Sequence, residues 1–208
     1  MKIKMRLIIA SVITIVLLSA GCDLNGSNAS DDNGNDSNDT VTYNLRDRGP
    51  AGGWVFYDKG SYSDGWWYME AWIADEGEYQ WRITGSSGTE STLTDIGTGY
   101  NNTYTHLSPE SSYPAAKAAK DATHGGKNDW FLPSKDELDK MWVNLWSDGP
   151  DDNGVTGYTK VGSFASEYYW SSSHVNSDYA WKQSFSSGNQ WKKDPKTDSE
   201  LVRVVRAF

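Results

Sequence analysis

The side chains best suited to holding a ligand gather near the C-terminus, where Gln190-Trp191-Lys192-Lys193 sets an indole between an amide and two ammonium groups. Trp191 has no apolar neighbour in this stretch. An indole is costly to leave in water, but its face can stack on the CH face of a sugar or on a flexible peptide while nearby amides read hydroxyls. The sequence therefore predicts a binding surface on the loops 174–178 and 186–198, with His174, Asn176, Asp178, Asn189, Gln190, Trp191, Lys192 and Lys193 as candidate contacts. Catalysis finds no comparable constellation. His106, His124 and His174 lie in loop-like stretches without the spacing of an H-E-x-x-H site, and the serines form no G-x-S-x-G elbow. Asp136 and Asp139 fall on the polar side of an amphipathic helix, where solvation accounts for them. No catalytic residue, metal ligand set or cofactor is expected.

One other side chain carries chemistry of its own. Cys22, the single cysteine of the 208 residues, closes the run Leu17-Leu18-Ser19-Ala20-Gly21-Cys22. Ahead of it stand Lys2, Lys4 and Arg6 and then an uncharged stretch at 7–18. A basic start, a short apolar run and small residues before a cleavage point are the grammar of an export signal. The run is too short for a spanning helix, which needs about 20 apolar residues. Ser-Ala-Gly-Cys resembles the lipobox of bacterial lipoproteins, although Leu18 stands one place further from the cysteine than is usual. The resemblance implies a signal at 1–21 and a lipidated Cys22 that holds the protein to a membrane, at the outer membrane or cell surface. With Cys22 so used, the body has no thiol nucleophile, disulfide or cysteine-ligated zinc.

Charge narrows the partners. The full chain carries a net −9, and losing Lys2, Lys4 and Arg6 with the signal takes this to −12. A nucleic-acid partner bound by bulk electrostatics is thereby disfavoured. Residues 23–40, DLNGSNASDDNGNDSNDT, hold five aspartates, no positive charge and no aromatic. Such a segment cannot bury enough to offset its ordering entropy, and 22–42 is predicted to be a disordered acidic tether. Asp31-x-Asn33-x-Asn35 is followed by Asp36 where a calcium loop of the EF-hand type needs glycine.

The elements that must position the contacts lie in 43–208, enough for one domain with a real core. Strands are predicted at 54–57 and 66–72, both apolar on two faces and so central, with 59–65 and 85–99 as loops. Pro114 opens one helix, at 114–122. Ser134 and Glu137 form the capping box of a second, with Leu138, Met141, Trp142 and Leu145 as its apolar stripe and Asp148-Gly149-Pro150 as its stop. Strands follow at 168–173, 179–185 and 201–208. On the last, Arg203 and Arg206 point to opposite faces, and a buried arginine needs a carboxylate partner. Trp54, Trp142, Trp170 and Trp181 lie on apolar periods and are expected in the core. The order β, β, α, α, then β-rich is α+β.

Four pieces in order carry a resemblance: 49–57 (GPAGGWVFY), 129–138 (DWFLPSKDEL), 169–173 (YWSSS) and 202–208 (VRVVRAF). Together they resemble the bacterial domain family of unknown function typified by the C-terminal domain of a collagen-like adhesin, the Lcl C-terminal family. The resemblance implies a single compact C-type-lectin-like domain over 43–208, with two helices and a twisted, mostly antiparallel sheet. The 129–138 and 202–206 pieces also look like those of formylglycine-generating-type domains, but that chemistry needs cysteines this body lacks. The Glu-Pro-Asn, Gln-Pro-Asp and Trp-Asn-Asp signatures of calcium-dependent lectins are absent. The adhesin is implicated in binding sulfated glycans, whereas residues 41–208 carry a net −7. The expectation is an envelope lipoprotein binding a glycan or protein ligand, the alternatives being a structural envelope protein or an envelope hydrolase.

Overall fold

The computed structural model describes residues 41–208 except 87 and 89, so the signal expected at 1–21, the lipidation expected at Cys22 and the tether expected to Thr40 lie outside the described residues. Residues Val41–Phe208 form one compact unit. It is α+β, as expected, but built on two sheets rather than one.

Strand β1 (Trp54–Ser63) and β2 (Trp66–Ala71) form a long antiparallel hairpin. Its turn is Asp64-Gly65, with φ of 54° and 87°, the pair of positive angles that lets a two-residue turn follow the strand twist. The expected loop at 59–65 is therefore mostly strand. Gly60 sits where the register shifts between Asp58 and Ser63, a bulge rather than a break. Strand β8 (Val205–Ala207) pairs with β2, giving the order β1-β2-β8. Only β2 is central; β1 is an edge, which corrects the expectation that both would be interior.

The second sheet has the order β3-β7-β4-β5-β6, from β3 (Gly77–Gln80), β4 (Tyr168–His174), β5 (Ala180–Ser184), β6 (Gln190–Trp191) and β7 (Ser199–Val202). All its pairings are antiparallel except the single β4–β7 contact at Tyr169 and Leu201. The expected closing strand 201–208 is thus two strands in different sheets. Arg203 breaks it by turning inward, with Nε donating to Asp75 at 2.7 Å and Nη1 to the carbonyls of Trp72 and Gly162 at 2.9 and 2.7 Å. Beside it the Trp72 amide donates to the Val204 carbonyl, extending the β2–β8 pairing by one step.

Both expected helices are present. Helix α2 (Pro114–Asp121) starts on its proline and buries Ala115, Ala116 and Ala119. A short turn α1 (Gly99–Asn101) precedes it and runs into a π-helical turn at Asn102–His106, neither of them expected. Helix α3 (Lys135–Leu145) carries the complete capping box: Glu137 N donates to Ser134 Oγ, and Ser134 N donates to Glu137 Oε2 at 2.7 Å. Such a cap is worth about 1 kcal/mol. Leu138, Met141 and Leu145 of its stripe are buried, but Trp142 is half-buried. Of the four tryptophans assigned to the core only Trp170 is fully enclosed; Trp54 and Trp181 are half-buried too. Trp81 and Trp130 take their place. They anchor one cluster with Tyr113 and the alanines of α2, while Phe56, Met69, Phe131 and Phe185 fill a second beneath α3.

Candidate ligand-binding groove

A groove of about 350 Å³ opens between the β1–β2 hairpin and the segment that carries α1. Trp66 follows the Asp64-Gly65 turn and forms one wall; Tyr100 of α1 forms the other. Met69, Phe131 and Ala207 supply an apolar floor, and the Asp64 and Asp129 carboxylates stand at its rim. Its size falls at the small end of the range for ligand pockets, which are apolar with a few placed polar groups.

Each wall is braced from behind. The Lys59 ammonium lies 4.2 Å from the Trp66 ring centroid and also donates to Asp64 at 2.9 Å. Tyr100 stacks on Tyr104 at 4.5 Å and meets Phe131 edge-on at 5.8 Å, yet it remains 51% exposed. Its backbone is held from below by Glu137, whose Oε1 accepts from the amides of Gly97 at 2.8 Å and Gly99 at 3.2 Å. No side chain fits at Gly99, because a Cβ there would lie 2.2 Å from Glu137 Oε2 and 2.9 Å from Phe131. Burial pushes the Glu137 carboxyl up to about 7, against the pull of the Ser134, Gly99 and Gly97 amides toward the ionised form.

The floor rests on a buried ion cluster. Arg206 grips Asp129 with two bonds, Nε to Oδ1 at 2.8 Å and Nη2 to Oδ2 at 2.9 Å, and donates from Nη1 to Glu70 at 3.0 Å. Glu70 is fully enclosed and also accepts from the Ala51 and Gly53 amides. The hydrogen bonds from Arg206 hold the Asp129 carboxyl below the usual range, so it stays ionised and is no proton donor near neutrality. Asp64 is likewise lowered by its bond to Lys59. Both carboxylates at the rim are paired acceptors, not free acids or bases.

None of the eight contacts predicted near the C-terminus lines this groove. His174 ends strand β4 rather than lying in a loop, and Asn176 and Asp178 sit in the turn that follows, packed on Lys196. The His174 ring places Nδ1 2.8 Å from Thr92 Oγ1, Asn176 Oδ1 accepts from the Asp178 and Tyr179 amides, and the Asp178 carbonyl accepts from Lys196 N. Lys196 is itself buried between Glu90 and the face of Trp81. The other five form a separate group. Gln190 and Trp191 are strand β6, not loop, and Trp191 is 43% exposed opposite Lys182 at the edge of the sheet. Asn189 precedes them, and exposed Lys192 and Lys193 follow. Gln190 donates to the Lys135 carbonyl, and the ammonium groups of Lys135 and Lys192 each lie 5.3 Å from the Trp181 ring.

The groove residues escaped the sequence because their signals were read as scaffold. Trp66 is one of a run of strand aromatics and Asp129 one letter of a motif; only the Asp64-Gly65 turn marked the place where an aromatic wall would begin. Acidic residues elsewhere are also spoken for: Asp151 binds Arg46 and Asp152 binds Lys140 and Asn144. Among the described residues no group of three or more His, Cys, Asp and Glu could hold a metal ion.

The Lcl C-terminal domain family matches residues 78–206. That span includes Gly97, Tyr100, Asp129 and Phe131 of the groove, and the hairpin with Trp66 lies outside it. Among solved structures, a fimbrial protein from Bacteroides ovatus is similar at 17% identity with a TM-score of 0.42, over 69% of this chain. The match spans 36% of the length of that protein chain. No curated protein matches.

Proposed function

We propose that this chain, which belongs to the Lcl C-terminal domain family, is a non-catalytic, adhesin-like protein of the bacterial cell envelope that holds a glycan or protein ligand between Trp66 and Tyr100. The observation that carries the reading is the pair of aromatic walls over an apolar floor, at 350 Å³ a space one ligand residue can enter. The rim supports binding over catalysis, because its carboxylates are held ionised and paired by Lys59 and Arg206. A lectin-like scaffold is part of the same proposal.

The anchor belongs to it as well. Lys2, Lys4 and Arg6, the uncharged run and Ser19-Ala20-Gly21-Cys22 support export and lipidation, with a surface or outer-membrane location. Cys22→Ser is expected to abolish labelling by a palmitate analogue and to shift the protein out of the membrane fraction. Persistent label on the serine variant would refute this.

The site is tested on the full-length protein, captured on glycan and host-protein arrays. Trp66→Ala and Tyr100→Ala are each expected to weaken binding by roughly 10- to 100-fold, or about 1.4–2.8 kcal/mol. Trp191→Ala is expected to leave it unchanged. A second reading, with contacts along β6, is favoured by the exposed Trp191 and by the two lysines over Trp181. Loss of binding in Trp191→Ala with full retention in Trp66→Ala would move the site there.

A further inference from the structure

We propose, on the footing of the groove reading above, that the groove selects an uncharged sugar, stacking one pyranose face on Trp66 or Tyr100 and donating a ring hydroxyl to Asp129, and that it rejects sulfated glycans and basic peptides.

The charge arrangement decides the class. Asp64 is matched by Lys59 at 2.9 Å, and Asp129 by the two-bond grip of Arg206. Lys59 is committed to Asp64, the Ser63 carbonyl and the rear face of Trp66, while Arg206 commits Nε, Nη1 and Nη2 to carboxylates. A sulfate entering the groove would meet no uncommitted cation, in a domain whose residues 41–208 carry a net −7 with these pairs included. Repulsion of that sign is felt over about 8 Å at physiological ionic strength. A lysine or arginine side chain fares little better, since each carboxylate is already neutralised at contact distance, and an exposed ion pair gains little.

What remains available is acceptor capacity without free charge. A carboxylate has about four lone-pair sites, and the Arg206 fork takes one on each Asp129 oxygen. The in-plane lone pairs that the fork leaves free point away from each other, so a single sugar hydroxyl can donate to an open one. The Asp129 side chain is 43% exposed, so those positions are open to a ligand. The space corresponds to about a dozen waters at about 30 Å³ each, room for one ring with its chain continuing into solvent.

The test uses the full-length protein in detergent and three sets of probes: neutral hexasaccharides of glucose, xylose and N-acetylglucosamine; heparin and dextran sulfate; and an oligolysine peptide. Tryptophan fluorescence gives the affinity, and saturation-transfer NMR identifies the sugar protons in contact. At least one neutral oligosaccharide is expected to bind, with a Kd that changes less than about twofold between about 0.05 and 0.5 M salt. Trp66→Ala is expected to weaken it tenfold or more. Asp129→Asn keeps one acceptor but disturbs Arg206, so Lys117→Met, at a surface pair outside the groove, serves as the folded control and is expected to bind as the wild type does. Heparin or oligolysine bound in a Trp66-dependent way would overturn the ligand class while leaving the groove reading standing. Failure of every probe to bind in a Trp66-dependent way would bring down the groove reading itself.

Discussion

Replacing Glu137 by glutamine is expected to remove most of the pH dependence of folding stability between about pH 4.5 and pH 7. Glu137 is fully enclosed, and burial lifts its carboxyl from 4.5 to about 7 in the folded protein. Across that window the folded state keeps a proton that the unfolded chain has released. The stabilisation from this group is therefore complete below about pH 4.5 and is lost as pH rises to about 7, beyond which it is flat. At 1.36 kcal/mol per unit the loss comes to roughly 3 kcal/mol. Burial holds the His174 imidazole below its usual value, so that residue acts in the opposite sense, favouring the fold as pH rises through 6.5. Glu200, raised by its own burial, acts with Glu137. The difference between wild type and Glu137→Gln cancels both. Glutamine keeps an acceptor for the Gly97 and Gly99 amides but sets an NH₂ against the Ser134 amide, so the variant is expected to be the less stable of the two at acid pH. In urea titrations at about pH 4.5, 5.5, 7 and 8, the gap between the two proteins should narrow as pH rises. Parallel profiles would mean that Glu137 titrates alike in the folded and unfolded chain.

Glu137 also marks the boundary between what was legible and what was not. Its part in the capping box needs only Ser134 three residues away, a pattern written in the local sequence. Its hold on Gly97 and Gly99 spans about forty residues of chain and leaves no periodic trace. The same division runs through the last strand. Alternation placed Arg203 and Arg206 on opposite faces, and each does hold a carboxylate, but Asp75, Asp129 and Glu70 could not be named as partners from spacing. Nor could the switch of sheets at 203–204 be seen, because Val202, Val204 and Val205 keep the apolar pattern going through the break. Trp191 shows the reverse error. A polar neighbourhood suggested a loop, yet Gln190 and Trp191 pair with Gln183 and Lys182, and their polarity is that of a guarded sheet edge.

The groove floor and the stability of the fold meet at Arg206, and Arg206→Met is expected to cost about 3–5 kcal/mol. Methionine can fill much of the space of the arginine stem, so cavity formation is not the main term. The cost arises at Glu70, which is wholly enclosed and would keep its bonds from the Ala51 and Gly53 amides while losing the only guanidinium that contacts it among the described residues. Asp129 is better placed to recover, since its side chain is 43% exposed and water can replace the lost fork. Glu70→Gln removes the stranded charge but keeps an amide acceptor, so the double variant Arg206→Met with Glu70→Gln should regain a substantial part of the loss. The coupling read from the cycle is expected to be about 1–3 kcal/mol. Lys117→Met supplies the contrast: its i,i+4 pair with Asp121 lies at the surface, and its removal should change stability by less than about 0.5 kcal/mol. Additive losses for Arg206→Met and Glu70→Gln would show that the cost does not arise at Glu70, and would leave the fork to Asp129 and the packing of the arginine stem to account for it.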